Sequence, residues 1–498
     1  MNLRPVIHFT GQCGYDQPPP FHPAEVYPEL GARAAETAPD NAIYAGVRTL
    51  LRHLGYDAKN YGTPEWSPLS DLVSPGGVVV LKPNFVLHYN EDPSESIDSV
   101  CTHPAILRPL IDYAQKAVGP AGRVIVADAP QYDCDIEVLL RANGLPELLS
   151  WYQDTQGITV EFRDLRKHFG RHDNGVVLER RELAGDPEGY EVVDLADASE
   201  FAAMGTPKLR LLCGADYDEE ATRVHHSSGR NEYLVSRSVL GADLVINCPK
   251  LKTHKKSGVT LSMKNLIGIN GDKNWLPHYR SGFTQGGGDE FPAPDPYSRI
   301  RRIGAKLARR MMMKGIGGSV FRRARSLENA TGLGDRARNG NWHGNDTIWR
   351  TCLDLNKILY CGDATGALAG ERSRRVLNIY DGIIAGDGRG PMGPRARGLG
   401  LLAAGEDPAA ADLVLSWIMG FDWRKIPVLR ESLGELAGGV RITELAQQPE
   451  DFPVLWSDSQ GARELLFSEI DLNLHLDAHP GWVGHIERDG DGARACAS

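Results

Sequence analysis

The sequence predicts an α/β fold with mostly parallel sheets flanked by helices, arranged as two lobes with a basic insertion. Three observations predict it. Buried-strand runs at Val78 to Leu81 and Arg123 to Ala127 alternate with helix-like segments. Both runs end in polar residues, Lys82-Pro83-Asn84 and Asp128-Ala129-Pro130. A third apolar strand, Asp243 to Cys248, discharges into five lysines, a histidine and a Ser/Thr cluster before a helix-like segment at Leu261 to Ile267. Strand, loop and helix in that order is where open α/β proteins place their ligand sites.

Taken in order, residues 1–75 are rich in Pro, Gly and Tyr and read as an N-terminal entry segment with one helix near Ala42 to Leu54. Residues 76–280 read as an α/β core. Pro104 to Val118 is a helix with Pro in its first turn, and Asp135 to Ala142 is a helix stopped by Asn143-Gly144. A polar insertion at about 150–235 carries short alternating stretches, Ile158 to Phe162, Tyr190 to Leu195 and Lys208 to Leu212, which suit an antiparallel insertion or a second lobe. Residues 281–340 combine a Gly-, Pro- and Asp-rich loop with a basic amphipathic run, and we expect a flexible lid or peripheral helix. Residues 341–498 form a second α/β part and a C-terminal tail. A helix lies within Asn341 to Tyr360, and a strand at Leu377 to Ile384 opens into an acidic turn. A helix at Pro408 to Met419 carries Asp412.

At 498 residues the chain exceeds what one core usually fills. Its net charge of −10 argues against nucleic acid as a partner, which needs a broad basic surface. No apolar run is long enough to span a bilayer, and the N-terminus lacks the apolar core of a signal peptide, so a cytoplasmic setting is expected. The eight cysteines show no CxxC spacing, so no iron–sulfur cluster is expected and the thiols read as reduced and mostly buried. The sequence leaves a homo-oligomer open.

Against this acidic background Lys250, Lys252, Lys255, Lys256 and Lys264 are a local excess of positive charge, which should face something anionic. Lys82, at the mouth of the first strand, joins them and is itself a catalytic candidate. A lysine among other cations loses proton affinity and becomes usable chemistry at neutral pH. We expect His254 to act as a base and Lys264 to anchor a developing oxyanion at the first turn of a helix. Ser257, Thr260 and Ser262 would help hold the anion, and Gly258 would let the backbone approach it. Lys250, Lys252, Thr260, Asn265, Arg389 and His103 are the expected substrate contacts. Asp381 is a further catalytic candidate. With Asp387 and Asp346 it could alternatively hold a divalent cation such as magnesium. The alternatives without a ligand are a solvated basic loop and ordinary Gly-Asp-Gly turn chemistry.

The motifs LKPNFV at 81–86, ADAP at 127–130, SRSVLGADLVINCPKLKTHKKSGVTLSMKNLIGI at 236–269, YDGIIAGDGRGPMGP at 380–394 and GEDPAAADLVLSWIMG at 405–420 resemble the family known as domain of unknown function 362. The resemblance covers most of residues 78–435 and implies no settled chemistry. Some members carry a ferredoxin-like module, for which this chain has no matching cysteines. A shorter likeness links His254, Gly258, Thr260 and Lys264 to lactate racemases, in which a histidine transfers protons and the lysine bears a nickel pincer nucleotide. The family's metal-binding histidine has no clear counterpart. Arg280 stands near its place, with His278 just before it. The likeness therefore implies the proton-transfer logic and leaves the nickel cofactor in question.

The resulting expectation is an isomerase- or lyase-like enzyme acting on a small carboxylated or phosphorylated anion by proton transfer at a carbon acid. The alternatives are a regulatory anion-binding protein and a magnesium-dependent phosphoryl-transfer or ligase enzyme. Whether a metal or nucleotide-derived cofactor takes part is open at this stage. Lys82, Lys250, His254 and Lys264 should line one pocket. Lys256 should be exposed and dispensable.

Overall fold

The computed structural model describes residues 3–294, apart from 35, 174–175 and 215–218, then residue 304 and residues 339–488, apart from 371, 448 and 450. Most of the expected lid at 283–340 lies outside the described residues.

Eleven strands among the described residues make one large sheet. In chain order they are β1 (Val6–Phe9), β2 (Val78–Pro83), β3 (Arg123–Asp128), β4 (Glu161–Asp164), β5 (Leu244–Cys248), β6 (Lys250–His254), β7 (Gly258–Thr260), β8 (Arg375–Arg389), β9 (Gly393–Gly405), β10 (Pro453–Asp458) and β11 (Gly461–Leu466). The spatial order is β11-β10-β1-β9-β8-β5-β2-β3-β4, with β6 paired to β8 and β7. The run from β8 through β5, β2 and β3 to β4 is parallel throughout. Strands from residues 76–280 and from residues 341–498 are thus neighbours in the same sheet. The entry segment also contributes, because β1 sits between β9 and β10.

The central strands are buried on both faces, as near-continuous Val/Ile/Leu runs require. Val79, Leu81, Leu244 and Ile246 pack into a core with helices α1 (Ala42–His53) and α2 (Pro104–Val118). Val80 and Val245 point the other way, into a core with the later helices α3 (Ile348–Cys361) and α4 (Pro408–Ile418). Of the alternating stretches in the polar insertion, Tyr190–Asp194 enters an antiparallel sheet, in which it and His226–Ser227 flank Arg230–Ser236, whereas the stretch ending at Phe162 runs into β4, the parallel edge strand of the main sheet. Lys208 to Leu212 departs from the alternating reading. Pro207 at the helix start gives a short helix, Thr206–Leu209, before the strand Leu212–Cys213.

Two elements differ from the sequence reading in ways that shape the site. The lysine stretch is strand over Lys250–His254, with all five residues buried. The acidic turn after Leu377 to Ile384 is likewise strand, because β8 runs on to Arg389 and forms a long hairpin with β9. One extension explains the other. The first half of β8 pairs with β5, and its second half offers a free edge that β6 takes, Lys250 opposite Asp381 and Lys252 opposite Gly386.

Candidate functional site

In β6, side chains alternate across the sheet. Leu251 enters the apolar core, while Lys250, Lys252 and His254 share the opposite face. Thr260 of β7 lies across from Lys252 and so shares that face. The turn from His254 to Gly258 requires φ +81° at Gly258, where a side chain would be strained. Trp482 packs against this turn, and its Nε1 donates to the Lys255 carbonyl at 2.9 Å. Gly258 therefore serves the turn.

Three charged groups expected in the site are neutralised. Lys82 is fully buried, and its Nζ donates to Asp128 Oδ1 at 2.7 Å and to Asn265 Oδ1 at 3.2 Å. Burial pushes the Lys82 ammonium below and the Asp128 carboxyl above their ordinary ranges, and each partly restores the other. Lys250 Nζ lies 3.0 Å from Asp381 Oδ2 and 2.7 Å from the Tyr15 hydroxyl, which itself donates to Asp381 Oδ1. The backbone N–H of His103 completes the shell around Asp381. The His103 ring stacks on Tyr15 with centroids 4.0 Å apart, and its Nδ1 caps α2 by accepting from Ala105. Burial, helped by Lys250, lowers the His103 pKa to about 3.

Asn265 is also spent. Its Oδ1 accepts from Lys82 and Asn84, and its Nδ2 donates to Asn247 Oδ1 at 2.7 Å. It ties the ends of β2 and β5 together instead of facing a ligand. Arg389 is exposed at the far end of β8.

The three carboxylates expected at a metal do not converge. Asp387 is held by Arg395 and Arg397, and Asp346 by Arg280 and Arg350, while Asp381 belongs to Lys250. Among the described residues no group of three or more His, Cys, Asp or Glu side chains could hold a metal ion. Arg280 is committed to Asp346 and Asp289.

The helical segment after β7 is shorter than expected, Ser262–Asn265 followed by a 3-10 turn, Leu266–Ile269. Its first amides do not await an anion. Asp412 accepts from the N–H groups of Ser262 and Met263 and from the Ser262 hydroxyl. Tyr380 donates to the same carboxylate at 2.7 Å. Burial raises the Asp412 pKa to about 6. Ser257 is equally occupied, donating to Val259 O. Of the three hydroxyls expected to hold the anion, Thr260 alone keeps an Oγ that is buried and without a partner.

What is left is a centre of positive charge around Lys264. Its side chain is partly exposed, and among the described residues it makes no hydrogen bond or ion pair. Burial and the nearby Lys82 and Lys255 ammoniums lower its pKa. Burial also takes Lys252 down to about 7, with Lys250 and Lys264 adding to the effect. Lys273 falls to about 7 by burial, with Lys82 and Lys264 adding. Lys256 is not the exposed residue expected. It is buried, its Nζ donates to the Asn339 carbonyl, and it lies 5.0 Å from the Tyr279 ring centroid.

Two histidines border this centre with opposite tautomers. His254 Nδ1 accepts from the backbone N–H groups of Lys256, at 3.0 Å, and Ser257, at 3.2 Å. Its proton is therefore on Nε2, and its lone pair is not free for the base role expected of it. His278 Nδ1 sits 2.8 Å from the Leu276 carbonyl, so it donates, and its Nε2 keeps the lone pair. Burial drives both pKa values well below the ordinary range, and Lys264 and Lys256 act on both rings.

Residues 200–416 match the family model described as Domain of unknown function (DUF362). The DUF362 match covers β5 to β9 and so includes Lys264, His254 and His278, while Lys82, Asp128 and Tyr15 come from outside it. The chain is 24% identical over 233 residues to a thylakoid-associated protein, sll1697, of Synechocystis sp., a match covering 46% of this chain. It spans about half, 49%, of that relative's length. No solved structure matches. Among the described residues no helix is long and apolar enough to cross a membrane.

Sequence reasoning gave Tyr15 and Lys273 no part in the site. Tyr15 lies 235 residues from Lys250, in a segment without periodicity, so no local pattern could have pointed to it. Lys273 stands only nine positions beyond Lys264, and the continuing run of polar residues after Ile269 was the signal available.

Proposed function

We propose that this protein is an enzyme that acts on a small carboxylated or phosphorylated anion by proton transfer at a carbon acid. One observation carries the reading. Among the described residues Lys264 keeps an unneutralised ammonium, and the two imidazoles on which its charge acts present Nε2 atoms without partners. A cation only partly open to solvent and without a counter-ion is costly to hold, and a fold keeps it where a ligand completes it. The position, beside the carboxyl ends of parallel strands, supports the same reading.

Turnover in place of storage is supported by the presence of both a free imidazole lone pair and fixed donors, the pair that carbon-acid chemistry needs. The likeness of His254, Gly258, Thr260 and Lys264 to lactate racemases is part of this proposal. The magnesium-dependent alternative draws little support from carboxylates that each face their own arginine or lysine. Six buried, unbridged cysteines support a reducing, cytoplasmic setting.

The test incubates the full chain in D2O with malate, 3-phosphoglycerate and 2-oxobutanoate. Loss of the carbon-bound proton signal is followed by NMR, and inorganic phosphate is titrated in parallel. Exchange that disappears in Lys264→Met supports the enzyme. Phosphate binding without exchange of any of the three compounds turns the reading to an anion-binding protein.

A further inference from the structure

We propose that His278 is the group that removes the proton from the substrate carbon, and that His254 donates to the oxyanion that forms. The assignment rests on the proposed reaction class and goes beyond it, because it divides the work between two rings that their backbone contacts make different.

The Leu276 carbonyl fixes the His278 proton on Nδ1. The backbone on either side of the ring is also held. His278 N–H donates to the Cys213 carbonyl at 2.8 Å, and Asn345 Nδ2 donates to the His278 carbonyl at 3.0 Å. The ring is therefore oriented, and its Nε2 can only accept. His254 is fixed in the reverse sense by two amides of its own turn. Its Nε2–H can only donate. A neutral imidazole donor suits an enolate oxygen, since it stabilises charge without giving up its proton.

The step balances. The substrate C–H bond breaks, its proton bonds to His278 Nε2, and the electron pair moves into the adjacent carbonyl to give an enolate oxygen. That oxygen accepts from His254 Nε2–H and from the Lys264 ammonium. Return of the proton from His278 to carbon closes the cycle with no net oxidation.

The surrounding cations explain why the base is quiet without substrate. Lys264, Lys256 and Lys273 all oppose a positive charge on His278, as burial does. A bound anion offsets those charges and raises the proton affinity of the ring when the reaction needs it.

The test has two arms. Histidine-selective 15N labelling of the full chain, assigned with His254→Gln and His278→Asn, reads the tautomers directly. The proton should sit on Nε2 of His254 and on Nδ1 of His278. A His278 ring protonated at Nε2 overturns the assignment. The second arm repeats the D2O exchange. His278→Asn and His278→Gln should each lower exchange by about a hundredfold or more while phosphate affinity stays within about threefold. His254→Gln should also slow exchange but keep the pH limb that belongs to His278. Exchange that survives both His278 substitutions overturns the role and leaves the reaction class standing. No exchange in the wild type overturns both.

Discussion

Lys250 and Asp381 stand opposite each other in the parallel pairing of β6 with β8, and Lys250 Nζ lies 3.0 Å from Asp381 Oδ2. Both side chains are fully buried. The contact turns an expected substrate contact and a catalytic candidate into one neutral pair, which sets the shape of the site. Asp381→Ala should cost about 3–5 kcal/mol, because it strands a buried ammonium. Lys250→Met with Asp381→Leu should recover much of that loss. Urea unfolding of the single and double variants measures both.

Lys264 should behave in the opposite way. Its ammonium has no counter-ion among the described residues, so Lys264→Met is expected to leave the melting temperature unchanged or higher. Phosphate affinity should fall at least tenfold, about 1.4 kcal/mol. Lys82→Met, by contrast, should lower stability by about 3–5 kcal/mol through the abandoned Asp128. Melting curves and phosphate titration on the two variants separate a site residue from a supporting one.

Gly268 closes over the Lys82–Asp128 pair. A Cβ at this position would lie 2.0 Å from Asp128 Oδ1 and 2.6 Å from Lys82 Nζ. Gly268→Ala must therefore part the pair or displace the 3-10 turn, and a loss of about 3 kcal/mol or more is expected. Unfolding by denaturant, with Gly286→Ala as the control at an open, exposed position without a left-handed backbone, gives the measurement.

Removing the Asp412 carboxylate should disturb the site from below. Asp412→Ala leaves two amides and the Ser262 and Tyr380 hydroxyls without their acceptor. Each unsatisfied buried group costs about 1–3 kcal/mol, so the variant should lose several kcal/mol and weaken phosphate binding through a displaced Lys264. Thermal unfolding and the phosphate titration report the two effects.

Anion binding should take up protons. Lys252 and Lys273 titrate near 7 in the folded chain, and a bound anion raises both. Phosphate affinity should therefore fall as pH rises from 7 to 9. Calorimetry in two buffers of different ionisation enthalpy should show uptake, and release would contradict it. Without an anion, the unfolded chain binds more protons on these lysines between about 7 and their ordinary range. Their contribution to stability should accordingly rise with pH across that window. The Lys273→Met variant should show a smaller rise than the wild type.

The α/β alternation and the central buried strands were readable because apolar runs and helix caps are local. Pro104 in the first turn marked the start of α2, and the run Val78 to Leu81 read as a buried strand. The wealth of lysine near Lys264 was readable as charge against an acidic background. The strand character of Lys250–His254 was not, since five residues with two lysines and a histidine give no reason to bury themselves until β8 supplies an open edge and Asp381 a counter-charge.

The same division holds for the site. The sequence alone determined which segments carry the charge and which strand ends deliver it, because burial and periodicity act over a few neighbouring residues. Only the tertiary structure decided which charges survive. Lys82 and Lys250 are cancelled by Asp128 and Asp381, and the helix start is occupied by Asp412. Among the described residues Lys264 stays unpaired, and backbone contacts, a carbonyl at one ring and amides at the other, give His278 and His254 opposite tautomers. Counter-charges and tautomers depend on atoms a few ångströms away in space and far away in the chain, and nothing in local sequence encodes that distance.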